Sequence, residues 1–101
     1  MNKTDKNAVN KLFDAVLLLK NREECDKFFE DIFTIQELEA ISQRLDVAFK
    51  LYEGKSYSEV NRITKASTAT ICRVGKCINY GNGGYKMIID RMNEVWHWCL
   101  I

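Results

Sequence analysis

The chain contains 101 residues, of which 47% are hydrophobic and none is proline, and its formal net charge is +1. This length fits one domain over residues 1–101 with a small core, and the lack of proline favours an almost entirely helical fold. No apolar run approaches the length of a membrane-spanning helix, about 18 residues, and the N-terminus lacks the basic-then-apolar order of a signal peptide, so we expect a cytoplasmic protein.

Two helices are predicted at the start of the chain. Apolar residues at helical spacing predict the first from about residue 4 to residue 20. Asn21 followed by Glu24 is a variant of the capping box, in which a side-chain oxygen accepts from an unpaired backbone N–H of the first turn. It predicts a short second helix that runs to about residue 32.

A third helix is predicted by a full capping box. Thr34 and Glu37 can each accept a hydrogen bond from the backbone N–H of the other, and Phe33 with Leu38 supplies the hydrophobic contact that often accompanies such a start. The helix is expected to stop at Gly54, since glycine favours the left-handed conformation after a helix.

Two short helical patterns follow over residues 55–78, separated by a break at residues 65–67. Ser56, with Glu59 three residues later, and Ser67 are both placed to cap the helix that follows. Two short helices joined by a three-residue break are typical of a helix-turn-helix, here about residues 56–79.

The two faces of this motif differ in character. The helices are predicted to pack through apolar side chains at helical spacing: Val60, Ile63, Ile71, Val74 and Ile78. The opposite face of the second helix carries small or cationic side chains: Thr68, Ala69, Cys72, Arg73 and Lys76. Small side chains would let the helix start approach a DNA groove, and the cations further along could reach phosphates or a guanine edge.

Charge is concentrated in the same segment. Residues 55–76 hold five Lys or Arg against one Glu, whereas residues 1–54 hold eight against eleven acidic residues. A basic patch on an otherwise acidic chain is typical of phosphate binding. The alternative is an ordinary helical corner with a solvated cationic face.

The remaining chemistry-bearing residues predict neither a metal site nor an enzyme. The cysteines and the single histidine are scattered without the short spacings of zinc ligands: Cys25, Cys72, Cys77, His97 and Cys99. We therefore expect no metal, no cofactor and no enzymatic activity, because no nucleophile with a neighbouring base is visible.

A turn over residues 79–84 is predicted to lead into a sixth helix from about residue 85 to residue 96. The turn contains Asn82-Gly83-Gly84 but lacks the Gly-Lys-Ser/Thr ending of a phosphate-binding loop. It is therefore expected to be a plain connection.

Residues 31–80 resemble the Trp repressor superfamily. The segment TIQELEAISQR at residues 34–44 is similar to the family's "TPDEREALGTR" helix start, and STATICR at residues 67–73 is similar to its "IATITR" recognition helix. Together with residues 53–57 and 79–86, the stretch resembles the YerC/YecD-type TrpR-like proteins of bacteria more than it resembles the Trp repressor itself. The resemblance implies an all-helical, intertwined homodimer that regulates transcription.

The resemblance also implies a ligand pocket. In the Trp repressor two arginines enclose the indole of tryptophan, and these positions match Arg44 and Arg73, with Thr34 and Thr70 at neighbouring contacts. Two positions depart from the family: Val74 stands where a glycine faces the ligand, and Cys77 where a serine lies near the amino group. We therefore expect tryptophan not to bind, and another small effector or no effector remain open.

Contacts with double-stranded DNA are expected from two helix starts and the recognition helix: Ser56, Tyr57, Ser67, Thr68, Ala69, Thr70, Arg73 and Lys76. The short apolar N-terminal helices and the helix carrying Trp96 and Trp98 are expected to form the homodimer, and the rival is a monomer whose helices cover one core. The alternative function is a helical protein-interaction module that binds a partner through the apolar tail at residues 96–101.

Overall fold

The structure is a computed structural model that describes the backbone of residues 6–100 and the side chains of residues 6–95. The described residues form six helices and no strand, as the sequence predicts. The helices are α1 (Lys6–Leu17), α2 (Arg22–Ile32), α3 (Ile35–Tyr52), α4 (Tyr57–Thr64), α5 (Thr68–Tyr80) and α6 (Gly84–Leu100). None of the helices in this part of the chain is long and apolar enough to cross a membrane.

The helices belong to two compact units, Met1–Leu38 and Glu39–Ile101. The described part of the first unit contains α1, α2 and the capped start of α3, and none of its residues is buried. Several large apolar side chains of this unit are instead exposed to solvent: Phe13 (57%), Leu17 (81%), Leu18 (76%), Ile32 (47%) and Ile35 (74%). The prediction of one domain over residues 1–101 stays a prediction.

The predicted caps form in the first unit. Thr34 and Glu37 make the two reciprocal hydrogen bonds of a capping box, with N···O distances of 2.9 and 3.1 Å. The bonds from Thr34, first from its backbone N–H and then from its side chain, lower the pKa of Glu37. At the second helix Asn21 Oδ1 accepts from the Glu24 N–H at 2.9 Å, but Glu24 Oε1 reaches one residue further back, to the N–H of Lys20 at 2.8 Å.

The first helix ends earlier than predicted, at Leu17 rather than near Lys20. Leu18 and Leu19 donate to carbonyls three residues back, which is how a helix tightens as it ends. The bond from the Lys20 N–H to Glu24 then belongs to the start of the next helix. Because the apolar periodicity continues through Leu18, the sequence pattern does not indicate that α1 ends at Leu17.

The described core lies in the second unit. Seven hydrophobic residues from α3, α4, the α4–α5 turn, α5 and α6 are buried together: Val47, Ala48, Val60, Ala66, Ile71, Val74 and Ile89. Leu45, Phe49, Leu51, Ile78 and Tyr85 pack around them and are partly buried. The predicted packing of Val60 with Ile71 and Val74 is therefore confirmed, and Ile78 packs against the same core. Ile63 is 39% exposed, and its predicted packing against the same residues stays a prediction.

The connection after α5 is shorter than predicted. The helix continues through Asn79 to Tyr80 and closes with a bond from the Gly81 N–H to the Cys77 carbonyl at 2.9 Å. Residues 81–83 form the connection, with Gly83 at φ 81°, and α6 begins at Gly84. Asparagine and tyrosine do not break a helix, so the first glycine sets the end of α5.

Candidate nucleic-acid interface

Capping by two serines fixes where α4 and α5 begin. Ser56 Oγ accepts from the Glu59 N–H at 3.2 Å, and Ser67 Oγ accepts from the Thr70 N–H at the same distance. The Ser67 hydroxyl also contacts Thr70 Oγ1 at 3.1 Å. Both serines therefore act as the sequence predicts, and their use as caps orients the backbone N–H groups at each helix start.

The turn between α4 and α5 is stabilised by side chains that were not among the predicted site residues. Asn61 Nδ2 donates to the Ala66 carbonyl at 2.7 Å, and Gln43 Nε2, from α3, donates to the Thr64 carbonyl at 3.2 Å. Thr64 Oγ1 bonds the Val60 carbonyl and accepts from the Ala66 N–H. These bonds hold the turn and the C-terminal end of α4 in place.

Lys65 ends α4 in the left-handed conformation, with φ 64°. This region costs a residue with a Cβ about 1 kcal/mol or more, whereas glycine enters it freely. We expect Lys65→Gly to raise the free energy of unfolding by up to about 1 kcal/mol, after allowance for the larger unfolded-state entropy of glycine. Denaturant unfolding checks this. Lys65→Ala is the control, because it removes the same charge and keeps the Cβ; an equal gain in that variant would contradict the backbone explanation.

The two faces of α5 are divided as predicted. Ile71, Val74 and Gly75 are buried against the rest of the second unit. Thr68, Ala69, Arg73 and Lys76 are exposed, and Thr70 and Cys72 are half-buried. The start of the helix therefore presents small side chains to solvent, and two long cations follow within two turns.

The cations of this region differ in their partners. Lys55 lies 3.7 Å from a carboxylate oxygen of Glu53. Four others are exposed and lie within 4.0 Å of no carboxylate in the described part of the chain: Arg62, Lys65, Arg73 and Lys76. Cations without an internal partner are available to phosphate groups.

An apolar groove in the second unit contains part of the predicted effector site. Ile41, Arg44 and Leu45 of α3 line it together with Cys77, Tyr85, Ile88 and the connection between α5 and α6. Burial raises the pKa of the Tyr85 phenol, and the proximity of Cys77 raises it further, whereas the positive charges of Arg44 and Arg73 lower it. The two predicted arginines therefore act on the same hydroxyl group.

The other predicted pocket residues are not among those that line the groove. Val74 is only 2% exposed and its side chain belongs to the core, so it does not line the groove. The buried face of α5 carries this side chain, and whether it excludes a ligand stays a prediction. Thr34 caps α3 in the first unit, and Thr70 takes part in the cap of α5.

Sequence reasoning missed Gln43, Asn61, Gly75 and Tyr85. Asn61 lies five residues before the carbonyl that it binds, so the turn signal at residues 65–67 could have pointed to it. Gln43 lies 21 residues from its partner, and no local pattern indicates that bond. Among the described residues no group of His, Cys, Asp or Glu could hold a metal ion. The side chains of the apolar tail, residues 96–101, lie outside the described residues.

Comparison with known proteins agrees with this geometry. Residues 7–93 match the family model of the Trp repressor protein. The chain is 49% identical to the uncharacterized protein YerC of Bacillus subtilis over 86 residues, which is 85% of this chain and 83% of YerC.

Two crystal structures are similar over nearly the whole chain. One is of a candidate Trp repressor from Staphylococcus aureus, with 46% identity and a TM-score of 0.85, covering 92% of this chain and 95% of that one. The other is of a TrpR-like protein from Eubacterium eligens, with 45% identity and a TM-score of 0.85, covering 92% and 96%. The predicted resemblance and the predicted all-helical fold are both confirmed, and the chain belongs to the Trp repressor family.

Proposed function

We propose that this protein is a sequence-specific DNA-binding regulator of transcription that reads DNA with α5. The observation that carries the proposal is the division of this helix into a buried apolar face and an exposed face of small and cationic side chains. Membership of the Trp repressor family supports it.

The expected contacts follow from position along α5. Thr68 and Ala69 lie in the first turn, where small side chains let the backbone come close to base edges in the major groove. Arg73 lies more than one turn further on and can form a bidentate contact with a guanine. Ser56 and Tyr57 start α4, and Ser67 and Thr70 start α5; we assign the backbone N–H groups of these two helix starts, with the side chain of Lys76, to the phosphate backbone.

The salt dependence of binding tests the proposal. DNA sites would first be selected from a random pool, and binding would then be followed by fluorescence anisotropy between 50 and 200 mM salt, about the range over which counterion release is steep. If Arg62, Lys65 and Lys76 each neutralise one phosphate while Arg73 binds a base, the slope of log K against log salt should be about −2.7 per chain and about −5 per dimer. Binding that is independent of salt would overturn the proposal.

We propose that the protein is a homodimer. The first unit exposes five large apolar side chains and buries none of its described residues, so a single chain leaves these helices without a core. A second copy would supply one, and a symmetric pair would present two copies of α5 to half-sites about one DNA turn apart.

The paired substitution of Phe13 and Leu17 by lysine is expected to give a monomer. Both side chains lie on one face of α1 and are more than half exposed in the single chain, so their replacement costs the isolated chain little. Light scattering at micromolar concentration should give twice the 11.8 kDa chain mass for the natural sequence and the single mass for the variant. Asp14→Lys is the control on the same helix. A natural sequence that is monomeric, or a variant that stays dimeric, would contradict the assignment.

One observation favours a second candidate function, a protein-interaction module. The described part of α6 leaves Met87, Ile88 and Val95 between 40% and 58% exposed, and this face could bind an apolar partner. Such a module would show no salt-dependent binding to DNA. The salt titration described above therefore distinguishes the two functions.

A further inference from the structure

The short helix α4 has few fixed points. It contains eight residues, and Val60 is its buried residue. Its C-terminal end is tied to the turn through Asn61 and the Ala66 carbonyl. A helix of two turns that is anchored by one buried side chain and by one end can still rotate about that anchor, so the N-terminal end decides its orientation.

Tyr57 provides a contact at that end. It is the first residue of α4 and lies one turn before Val60, on the same side of the helix. Its hydroxyl lies against Gly75 in the middle of α5, where a Cβ on Gly75 would overlap the Tyr57 oxygen, and the ring carbon Cζ would lie 3.3 Å from that Cβ.

Side-chain packing, and not backbone conformation, explains why residue 75 is a glycine. Its φ is not positive, so the backbone conformation does not demand this residue type. Glycine in a helix interior is less stable than alanine, and Gly75 is buried. What glycine supplies at this place is the space that the Tyr57 hydroxyl occupies.

We infer that Gly75 and Tyr57 are positioning residues whose contact sets the angle between α4 and α5, and that DNA affinity depends on it. The inference rests on the proposed DNA-binding function. Neither residue needs to read a base for this role. A side chain at position 75 would push the tyrosine ring outward and move the capped start of α4 away from the phosphates that it is proposed to meet.

A double-mutant cycle on the full chain tests the inference. Gly75→Ala is expected to weaken binding to a selected DNA site about tenfold, with a melting temperature at or above that of the natural sequence. Tyr57→Phe keeps the ring and removes the overlapping oxygen, so it should bind within about twofold of the natural sequence. The combined variant should recover the binding of Tyr57→Phe, because alanine then meets only a ring carbon that can shift by a few tenths of an ångström.

Two controls separate this inference from the proposed function. Gly84→Ala is the matched change, since a Cβ at that position meets nothing within 4 Å, and it should leave binding unchanged. Hydrogen exchange of the α4 amides needs no DNA; it should quicken in Gly75→Ala and return to normal in the combined variant.

The outcomes are distinct. Unchanged binding or unchanged exchange in Gly75→Ala overturns the inference while the proposed function stands, and so does a loss that persists in the combined variant. Salt-independent binding by the natural sequence overturns the proposed function, and with it the dependence of DNA affinity on this contact. Hydrogen exchange of the α4 amides then still tests whether the contact of Tyr57 with Gly75 positions α4.

Discussion

Arg73→Ala is expected to weaken binding to a selected DNA site by about one to two powers of ten, more than any other single change in residues 67–78. The side chain is exposed, has no carboxylate partner in the described part of the chain, and is carried by a helix whose other face is fixed by Ile71 and Val74. A bidentate contact with guanine contributes about 1–3 kcal/mol of discrimination, and each 1.4 kcal/mol corresponds to a factor of about ten.

Two further variants separate base reading from charge. Arg73→Lys keeps the positive charge but loses the planar guanidinium that can donate two hydrogen bonds to one guanine. We expect it to retain the salt dependence of binding and to lose sequence preference. Lys76→Ala should weaken binding to all sequences alike and reduce the slope by about one, as expected for a phosphate contact. Gel-shift titrations on matched and scrambled sites give both quantities. Unchanged affinity and preference in Arg73→Ala would assign base reading to other residues.

L-Tryptophan is expected not to act as a corepressor. The groove beside Arg44 offers the ligand's amino group the Cys77 thiol in place of the serine hydroxyl of the family, and a thiol is a weak hydrogen-bonding group. The lost hydrogen bond costs about 0.5–1.5 kcal/mol. Arg44 and Arg73 carry only hydrogen-bond donors, so neither supplies the acceptor that the amino group has lost.

Calorimetric titration of L-tryptophan, with and without DNA, measures this. No saturable heat is expected at micromolar ligand, and DNA affinity should not change. Cys77→Ser is the variant expected to recover part of the affinity, because Cys77 is exposed and lines the groove. Val74→Gly is unsuitable as its companion, because removing a core side chain would lower the stability of the fold. Saturable binding by the natural sequence would contradict the expectation.

Helix starts were predictable from the sequence, because caps are local. Thr34, Ser56 and Ser67 bond to residues three positions away, within the range that a short sequence pattern covers. Helix ends were less predictable. The apolar periodicity of α1 continues past Leu17, and nothing at Asn79 or Tyr80 stops α5.

The candidate site was predictable in its residue types and less so in its geometry. The exposed face of α5 follows from helical periodicity, so Arg73 and Lys76 lie where the sequence predicts. Whether Val74 meets a ligand or the core depends on the rotation of α5 against its neighbours, which periodicity alone does not distinguish. The contact of Tyr57 with Gly75 joins residues 18 positions apart and exists only in the folded chain.

The uneven distribution of buried residues has a consequence for the lifetime of the protein. If the protein forms the proposed homodimer, a chain that has not met its partner exposes the apolar face of α1 and the side chain of Ile35, and helices without a buried side chain open at little cost in free energy. Proteases cut such segments first, whereas the seven-residue core protects the rest. Unpaired copies should then be degraded from the N-terminal side, and cleavage within the first 38 residues would leave a fragment that retains α4 and α5 and lacks the helices proposed to pair. Such degradation would make the amount of intact protein depend on the chain concentration relative to the dissociation constant of the proposed dimer. Protein that is synthesised slowly would be degraded before it could pair.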